Sequence, residues 1–293
     1  MRILVTGGNG QLGHCFTDTL PDNWPLVSLD HKQLDIADWP GVQQIVTALN
    51  VDFIFNPAAY TLIDKAEEEI ITAQAVNVLG PANLAIIAES LNILLIHIST
   101  DYVFSGMEEG VSLCENSPTQ PLNVYGQTKQ LGEQDVLATC SRSVVLRISW
   151  LFSEYGSSFV HTMLKLGKTR KSLAIINDQF SSPTYVGDLA KCIITIIDQR
   201  VNEPMLYYFC GDKTVSWYEF ATRIFSLAKV FEDSYIFMFL SPISSEKYKC
   251  VAKKPKHAIL NCEKIYCERG VCNSNRRMSL DKVVPEIIFQ MNN

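Results

Sequence analysis

The sequence predicts an α/β fold in which a doubly wound parallel sheet is joined to a smaller, discontinuous C-terminal lobe. Two observations support this prediction. Short apolar runs alternate with longer amphipathic stretches through residues 1–100, and the runs are continuously apolar instead of alternating with polar residues. Strands of a parallel sheet have this pattern because helices cover both faces of the sheet. The chain has 293 residues, which is enough for about two domains at roughly 150 residues each.

The apolar runs and the helical spacings place the elements in chain order. Strands are predicted at 2–6, 25–30, 51–56, 93–99 and 144–149. Helices are predicted at 11–20, 42–49, 64–91 and 125–137, the third with a break near Gly80–Pro81. After Trp150 the pattern loosens, with helices at 159–166 and 188–197 and a short strand at 174–176.

Composition and charge exclude several classes of protein. Hydrophobic residues make up 47% and charged residues 19%, so the chain is not wholly disordered. The formal net charge of −6 argues against a general nucleic-acid binder, which would carry a basic surplus. We expect no membrane span, because no apolar run reaches the roughly 18–20 residues that a bilayer requires. We also expect no signal peptide, because a strand pattern follows Met1–Arg2 directly.

The cysteines indicate a reducing compartment. There are 9 of them, an odd number scattered along the chain, which is typical of reduced thiols in the cytoplasm. Cys262, Cys267 and Cys272 lack the two-residue gaps of common zinc sites. We therefore expect a cytoplasmic protein without a metal site.

A glycine-rich segment follows the first strand and opens a helix. Gly7 permits a tight turn, Gly10 lets the backbone approach a pyrophosphate, and Gly13 allows close packing of the helix. The helix N-terminus offers free N–H groups to phosphates. A glycine turn without a ligand is the alternative, but the strand–turn–helix context favours NADH or NADPH. The cofactor-binding residues predicted from this segment are Gly7, Asn9, Gly10, Gln11, Leu12 and Gly13.

The end of the second predicted strand bears on the choice of cofactor. Asp30 is placed to bond the adenosine ribose 2′-hydroxyl, which favours NAD. His31 and Lys32 follow it and suit the 2′-phosphate of NADP, so both cofactors stay open. Asp35 and Ile36 either border the adenine or are ordinary loop residues.

Tyr125 and Lys129 are one turn apart on a predicted helix and share a face. A lysine in this position can lower the pKa of the phenol and anchor the nicotinamide ribose, and the phenol can then protonate an alkoxide. Ser99 and Thr100 end the preceding strand, at the edge where open α/β sheets bind ligands. Either hydroxyl could bond a substrate carbonyl oxygen. The alternatives are a solvated helix face and a simple strand-end cap.

Together these residues resemble the extended, nucleotide-sugar branch of the short-chain dehydrogenase/reductase superfamily. The resemblance is closest to the dTDP-4-dehydrorhamnose reductase family. It implies a Rossmann-type NAD(P)-binding domain at 1–150, with parts of 185–210, and a discontinuous substrate-binding lobe at 151–293. The matching blocks are Gly10–Gly13, Asn56–Glu67, Ser99–Phe104, Pro121–Lys129, Arg147–Trp150 and Ile176–Thr184.

The resemblance implies NAD(P)H-dependent reduction of the C4 keto group of dTDP-4-dehydro-L-rhamnose, or of another dTDP-4-keto-6-deoxy sugar. It makes Tyr125 the proton donor, Lys129 its assistant and Thr100 the group that polarises the keto oxygen. Trp150 packs against the sugar, unless it is a core aromatic. The other residues that the resemblance places in the site are Asp101 and Tyr102 for the substrate, Ala58, Ala59 and Tyr60 for the cofactor, and Asn77 as an organising or purely structural residue.

The chain departs from the family's pattern at several positions. Cys15 stands where several relatives have a carboxylate that binds magnesium at a dimer contact, so we expect no metal, and a metal-free homodimer stays open. Ser158 replaces an asparagine in the substrate loop. Lys254 replaces an arginine near the C-terminus, and Ile259 also departs from the pattern. Lysine lacks the bidentate phosphate contacts of arginine, which bears on nucleotide affinity.

Two other functions are compatible with the same motifs. The regulatory subunit of methionine adenosyltransferase resembles this family and binds NADP without turnover. Nucleotide-sugar epimerases and dehydratases share the glycine turn and the Tyr–Lys pair but keep their cofactor bound through turnover.

Overall fold

The computed structural model describes residues 1–106 and 111–293, and its centre is a six-stranded parallel sheet in the order β10-β5-β4-β3-β1-β2. Strand β2 pairs with one edge of β1, and β3 pairs with the other edge, so the chain adds its next strands on the opposite side of the sheet. This change of side is typical of a doubly wound fold and confirms the predicted fold class. The elements of the first half are β1 (Ile3–Thr6), α1 (Gln11–Thr19), β2 (Leu26–Leu29), α2 (Trp39–Leu49), β3 (Phe53–Asn56), α3 (Ile63–Ala66), α4 (Ile70–Gln74), a π-helical turn (Ala75–Leu79), α5 (Gly80–Leu91), β4 (Leu94–Thr100) and α6 (Val124–Thr139).

The second half contributes one more pair of strands to the central sheet and builds smaller sheets beside it. Its elements are β5 (Ser143–Ile148), β6 (Leu151–Phe152), α7 (Phe159–Thr169), β7 (Ser172–Ile176), β8 (Phe180–Ser181), β9 (Thr184–Tyr185), α8 (Val186–Asp198), β10 (Met205–Phe209), β11 (Val215–Ser216), α9 (Trp217–Phe231), β12 (Phe239–Ile243), α10 (Glu263–Arg269) and α11 (Arg276–Asn292).

Alternating side chains of the central strands face two different helix layers. On β4, Ile96 and Ile98 pack with α1 and α8, whereas Leu95 packs with α2, α5 and α6. Both layers exclude water, since Leu95 and Ile96 are fully buried. The strands therefore need apolar residues at nearly every position, which is the pattern that predicted them.

A second core lies in the C-terminal half of the chain. It joins α7, α9 and α11 around Phe220, Ile224 and Leu280, all of which are buried. The chain crosses between the two cores, because α8, β10 and the buried Ile265 of α10 pack with the central sheet. The assignment of a cofactor-binding domain and a substrate-binding lobe to these two cores stays a prediction.

One helical segment bears on the expectation that the chain has no membrane span, which stays a prediction. The continuous helical segment Ile70–Leu91 is long and apolar enough to cross a membrane by length and composition, with a mean hydropathy of 1.6. Its apolar character has another cause in this fold, because Leu84, Ala85 and Ala88 pack against the sheet. A core helix passes the same test as a membrane span, so the segment is weak evidence for membrane insertion.

Candidate active site

A cleft of about 1060 Å³ opens at the carboxyl ends of the central strands. This is the edge at which open α/β sheets bind ligands. Its volume exceeds the range of about 300–1,000 Å³ that suits one drug-sized ligand, so the cleft has room for a dinucleotide and a second molecule. The predicted site residues that line it are Gly7, Asn9, Gly10, Gln11, Leu12, Gly13, His31, Asp35, Ile36, Ala58, Ala59, Tyr60, Thr100, Asp101, Tyr102, Tyr125, Lys129 and Trp150.

The glycine turn at one end of the cleft is packed too tightly for side chains. Gly7 has a φ of +58°, and a Cβ there would lie 3.0 Å from Cα of Ala58. A Cβ on Gly13 would lie 2.2 Å from the carbonyl oxygen of Gly8, so this glycine lets the helix close onto the turn itself. Gly8, which the sequence analysis did not single out, is also crowded, since its Cβ would lie 1.9 Å from Oγ of Ser28, a side-chain atom that can rotate away.

The N-terminus of α1 is left free to bind an anion. No side chain caps the helix at Gly10, and no acidic residue lies in its first turn. Its first N–H groups and its positive dipole end therefore suit a phosphate. Gln11 connects this end to the second half of the chain, since its Nε2 donates to the carbonyl oxygen of Ser157 at 2.9 Å. The residues at this end fit a dinucleotide.

At the end of the cleft near β2, where the adenine is predicted to bind, the predicted residues divide into two groups. His31, Asp35 and Ile36 line the cleft, but Asp30 does not. The carboxylate of Asp30 accepts hydrogen bonds from the backbone N–H of Lys32 at 2.9 Å and from Nδ2 of Asn9 at 2.9 Å. Asp30 thus holds the glycine turn to the loop after β2, and its contact with a ribose stays a prediction.

Tyr125 lies in the first turn of α6, where the helix is anchored at several points. The Asn123 side chain accepts a hydrogen bond from the Gly126 N–H at 2.8 Å and caps the helix. A Cβ on Gly126 would lie 2.2 Å from the carbonyl oxygen of Tyr102, so this glycine allows α6 to approach the end of β4. The Tyr102 and Tyr125 rings then meet edge to face at 5.6 Å. Burial raises the pKa of Tyr125 to about 12, although the Thr100 side chain opposes the rise.

Lys129 is fully within the interior, one turn after Tyr125. Its Nζ donates to the carbonyl oxygen of Ile98 at 2.6 Å and lies 3.2 Å from Nε2 of His97. Burial lowers the pKa of Lys129 to about 8, and the nearby Glu133 carboxylate opposes that shift.

The expectation that Lys129 lowers the pKa of the Tyr125 phenol is wrong. The ammonium is directed to strand β4 by its contacts with Ile98 and His97, and burial of the phenol dominates and raises its pKa. His97 was not identified from the sequence, because a histidine inside an apolar strand carries no motif.

The two hydroxyls at the end of β4 have different roles in the structure. The Oγ of Ser99 donates to the buried Glu133 carboxylate at 2.6 Å, and Glu133 also pairs with Arg147. Thr100 instead lies beside Tyr125, and its Oγ1 accepts a hydrogen bond from the Tyr102 N–H at 3.2 Å. Of the two candidates, Thr100 is therefore the one that faces the phenol. Burial raises the pKa of its neighbour Asp101 to about 7.

The loop after β3 lines the cleft directly beside the glycine turn, where Ala58 meets Gly7. Asn77 is buried, and its Oδ1 accepts from the Tyr60 N–H at 2.8 Å. Its Nδ2 donates to the Tyr60 carbonyl oxygen and to Oγ1 of Thr128, each at 3.1 Å. Asn77 therefore ties the Ala58–Tyr60 segment to α6, the helix that carries Tyr125.

An aromatic stack closes the other end of the cleft. Trp150 has a left-handed φ of +41° and stacks on Trp217 with ring centroids 3.3 Å apart and an interplanar angle of 8°. Trp217 was not identified from the sequence. The Ser216–Glu219 capping box could have marked the start of α9, but which ring faces the cleft depends on tertiary packing. Lys254 also lines the cleft.

No group of three or more metal-ligating side chains occurs in the part of the chain that the structure describes. Cys15 is buried in α1, and burial raises the pKa of its thiol to about 12. Cys262 is buried, whereas Cys267 and Cys272 are exposed. Within residues 1–106 and 111–293 every cysteine is a free thiol.

The fold and the site together define an extended short-chain dehydrogenase/reductase. The features that do so are the doubly wound sheet, the glycine turn that leads into an uncapped helix, and the Tyr–Lys pair near a threonine at a strand end. Comparison with known proteins narrows the class. The family description "RmlD substrate binding domain" matches residues 1–288. The dTDP-4-dehydrorhamnose reductase of Aggregatibacter actinomycetemcomitans is 38% identical over 291 residues, covering 96% of this chain and 98% of that protein. The chain belongs to the dTDP-4-dehydrorhamnose reductase family.

Solved structures agree with this placement. A dTDP-4-dehydrorhamnose reductase from Clostridium acetobutylicum superposes with a TM-score of 0.92 at 33% identity, over 99% of this chain and 100% of the other. The reductase from Bacillus anthracis, solved in complex with NADP, gives a TM-score of 0.88 at 33% identity, over 99% of each chain.

Proposed function

We propose that this protein reduces the C4 keto group of dTDP-4-dehydro-L-rhamnose to give dTDP-L-rhamnose. The observation that carries the proposal is the convergence of Tyr125, Thr100 and Lys129 at one point of a cleft that also contains an uncapped glycine turn. Membership of the reductase family supports the same reaction.

Each of these side chains has a role that its surroundings support. Bound NADPH or NADH supplies the hydride. Tyr125 gives its proton to the developing C4 alkoxide, and a pKa raised to about 12 keeps the phenol protonated at neutral pH. Thr100 donates a hydrogen bond to the keto oxygen and polarises it. Lys129 holds positive charge beside the nicotinamide ribose and assists Tyr125 through that charge as the proton is transferred, without lowering the resting pKa of the phenol.

Binding of the two ligands is divided between the halves of the chain. Gly7, Gly10 and the free N-terminus of α1 hold the pyrophosphate of the cofactor. The wall Ala58–Tyr60 contacts the nicotinamide half. Trp150 packs against the apolar face of the deoxy sugar, and Asp101 and Tyr102 contact its polar edge. This division supports a cofactor-binding domain built on the central sheet and a substrate-binding lobe built on the second core.

The setting of the reaction follows from its reactants. NADPH and dTDP-sugars are cytoplasmic metabolites, so we place the protein in the cytoplasm. Asp30 and the exposed His31 and Lys32 leave NADH and NADPH as alternative donors. The reaction uses no metal and no nucleic acid, and a homodimer, where it forms, needs no bridging ion.

Turnover with purified reactants tests the proposal. We expect one NADPH or NADH oxidised and released for each dTDP-L-rhamnose formed from dTDP-4-dehydro-L-rhamnose. If the protein reduces only a C4-keto sugar of another configuration, its substrate is a different dTDP-4-keto-6-deoxy sugar. Cofactor that stays bound and is regenerated would indicate an epimerase or dehydratase. Binding of NADPH with no turnover of any such sugar would contradict the proposal and favour a regulatory subunit.

A further inference from the structure

A row of buried polar side chains connects the glycine turn to Lys129. Thr6, Asn56 and His97 stand on the adjacent strands β1, β3 and β4, and each has 0% exposure. Thr6 Oγ1 lies 2.5 Å from Asn56 Oδ1, and Asn56 Nδ2 lies 2.9 Å from His97 Nδ1. The contact of 3.2 Å between His97 Nε2 and Lys129 Nζ completes the row.

The row has two complete hydrogen-bond arrangements, and they differ in the charge on Lys129. In one, the Lys129 ammonium donates to His97 Nε2, so Nδ1–H of the neutral imidazole donates to the Asn56 amide oxygen. In the other, Asn56 Nδ2 donates to His97 Nδ1, so Nε2–H donates to an uncharged Lys129 amine. Rotation of the Asn56 amide by about 180° converts one arrangement into the other. The Thr6 hydroxyl accepts from the Asn56 NH2 group in the first arrangement and donates to the Asn56 amide oxygen in the second.

In both arrangements the Lys129 Nζ still donates to the carbonyl oxygen of Ile98. Neither charge state therefore leaves an unpaired polar atom among these four side chains, although an unpaired polar atom in the interior is costly. An apolar residue at position 97 would fill the space but could not hydrogen-bond to Lys129 in either charge state.

We propose that His97 is a positioning residue, which holds Lys129 and, by exchanging tautomers together with the Asn56 amide, sets the balance between its ammonium and amine forms. The inference rests on the proposed function for its consequence, because Lys129 assists Tyr125 in that reaction. It extends the functional site to three fully buried side chains on β1, β3 and β4 that do not touch the substrate.

The other charged groups around Lys129 are few. Glu133 lies one turn further along α6, and its carboxylate is paired with Arg147 of β5 and bonded by Ser99 of β4. Tyr125 precedes Lys129 on α6. Asp101, after β4, is buried and bonded to Thr100 and Ser181.

The helical segments packed on the outside of α6 contribute little charge near Lys129. Asn77, which is uncharged, bonds to Thr128. The Glu67 carboxylate accepts from the Val124 N–H at 2.8 Å, at the start of α6. Within residues 1–106 and 111–293, His97 is thus the titratable side chain within hydrogen-bond distance of the Lys129 amine.

Two substitutions in the row should move the pKa of Lys129 in opposite directions. His97→Leu removes a partner that stabilises the ammonium more than the amine, because hydrogen bonds to charged groups are the stronger ones, so the pKa should fall by about one unit. Asn56→Asp offers only acceptors to His97 Nδ1–H, which leaves Nε2 to accept from the ammonium, so the pKa should rise by about one unit.

The experiment measures Lys129 directly in the full-length protein by NMR, with lysines labelled with ¹³C at Cε and the Lys129 signal assigned by its loss in Lys129→Met. The basic limb of the kcat–pH profile is recorded in parallel. In His97→Gln, whose amide can donate or accept, both the Lys129 pKa and the basic limb of the profile should stay near their wild-type values. Leu95→Val, a buried change on the same face of β4, controls for packing loss and should leave both readouts unchanged.

The expected wild-type Lys129 pKa is about 8, with opposite shifts in His97→Leu and Asn56→Asp. An unchanged Lys129 pKa in both variants, or shifts of the same sign, would overturn the inference. Absence of sugar reduction by the wild type would contradict only the proposed function, because the NMR titration needs no turnover.

Discussion

Burial has opposite effects on the acids and the base of the proposed site. It raises the pKa of Tyr125 to about 12 and that of Asp101 to about 7, and it lowers that of Lys129 to about 8. In each case the charged form is the one that loses solvation. The sequence predicted Tyr125 and Lys129 from their spacing and Asp101 from the family resemblance. It could not predict these pKa shifts, because burial is a property of the packed molecule.

The stability of the protein should depend on the ionisation of Asp101. Its pKa rises from 3.8 to about 7 on folding, so the folded state binds the proton more tightly and loses stability as pH rises through that range. Asp101→Asn removes this loss. We expect the variant to be more stable than wild type by on the order of 1–3 kcal/mol at pH 8 and by little at pH 4.

Thermal unfolding of wild type and Asp101→Asn between pH 4 and pH 8 measures the difference. A gap in Tm that does not widen with pH would contradict a raised Asp101 pKa. Thr100 and Ser181 donate to different oxygens of the Asp101 carboxylate, so the amide keeps one acceptor oxygen and turns its NH2 group toward the other hydroxyl, which can accept from it. Asparagine is close to aspartate in size, so the comparison changes charge more than packing.

Trp217 should contribute to sugar binding and not to proton transfer. It lines the cleft and stacks on Trp150, but it belongs to α9, remote in sequence from the Tyr125 helix. Trp217→Ala should raise the KM for the sugar by about 3–10-fold and change kcat little, on the usual scale of an aromatic contact. Steady-state kinetics with Tyr218→Ala as the matched control checks this. A fall in kcat at unchanged KM would show a different role.

Helices α1 and α6 carry the proposed phosphate-binding end of the site and the Tyr125–Lys129 pair, and glycines determine how closely each helix approaches its neighbours. On α6, a Cβ at Gly132 would lie 2.0 Å from the carbonyl oxygen of Asn77. That carbonyl belongs to the π-helical turn Ala75–Leu79, one turn before Pro81. Proline cannot donate to the carbonyl four residues earlier and its ring crowds that carbonyl, so the helix opens there. The sequence predicted a break near Gly80–Pro81, and the irregularity lies just before it.

The contact of α1 with the glycine turn gives a prediction for cofactor binding. A Cβ on Gly13 would lie 2.2 Å from the Gly8 carbonyl oxygen, so Gly13→Ala forces the helix away from the turn. We expect affinity for NADPH to fall by at least about tenfold, since the phosphates depend on the N–H groups at this point. Gly270→Ala is the control, because no atom lies within 4 Å of its Cβ.

Fluorescence titration of NADPH against both glycine variants gives the comparison. Equal affinities in Gly13→Ala and Gly270→Ala would mean that the cofactor does not depend on close packing of the turn. Gly270 has a φ of +69°, so its substitution by alanine strains the backbone without a steric clash. This variant therefore controls for any effect of general destabilisation on cofactor affinity.

At the scale of the whole molecule, the sequence predicted the sheet far better than the cleft. Strands such as Leu94–Thr100 are buried over their full length, so local composition is sufficient to find them. The cleft depends on contacts between distant segments, such as Gln11 with Ser157 and Trp150 with Trp217. No local pattern encodes those contacts.

The molecule as a whole should work without a metal ion. We predict this because the resemblance places Cys15 where several relatives have a carboxylate, and because the described residues contain no cluster of three metal-ligating side chains. We expect treatment with EDTA, followed by gel filtration and assay, to leave both the oligomeric state and the reductase activity unchanged. Loss of either, restored by added Mg²⁺, would contradict the metal-free assignment.

The measurement that tests the central claim most directly is the oxidation of NADPH and NADH, followed by absorbance, with freshly generated dTDP-4-dehydro-L-rhamnose and with Tyr125→Phe in parallel. Tyr125→Phe keeps the ring that packs against Tyr102 and removes the proton donor. We predict rapid oxidation by the wild type and a loss of about 10²–10⁴-fold in kcat in the variant, with cofactor binding retained. Near-wild-type turnover by Tyr125→Phe would contradict the account.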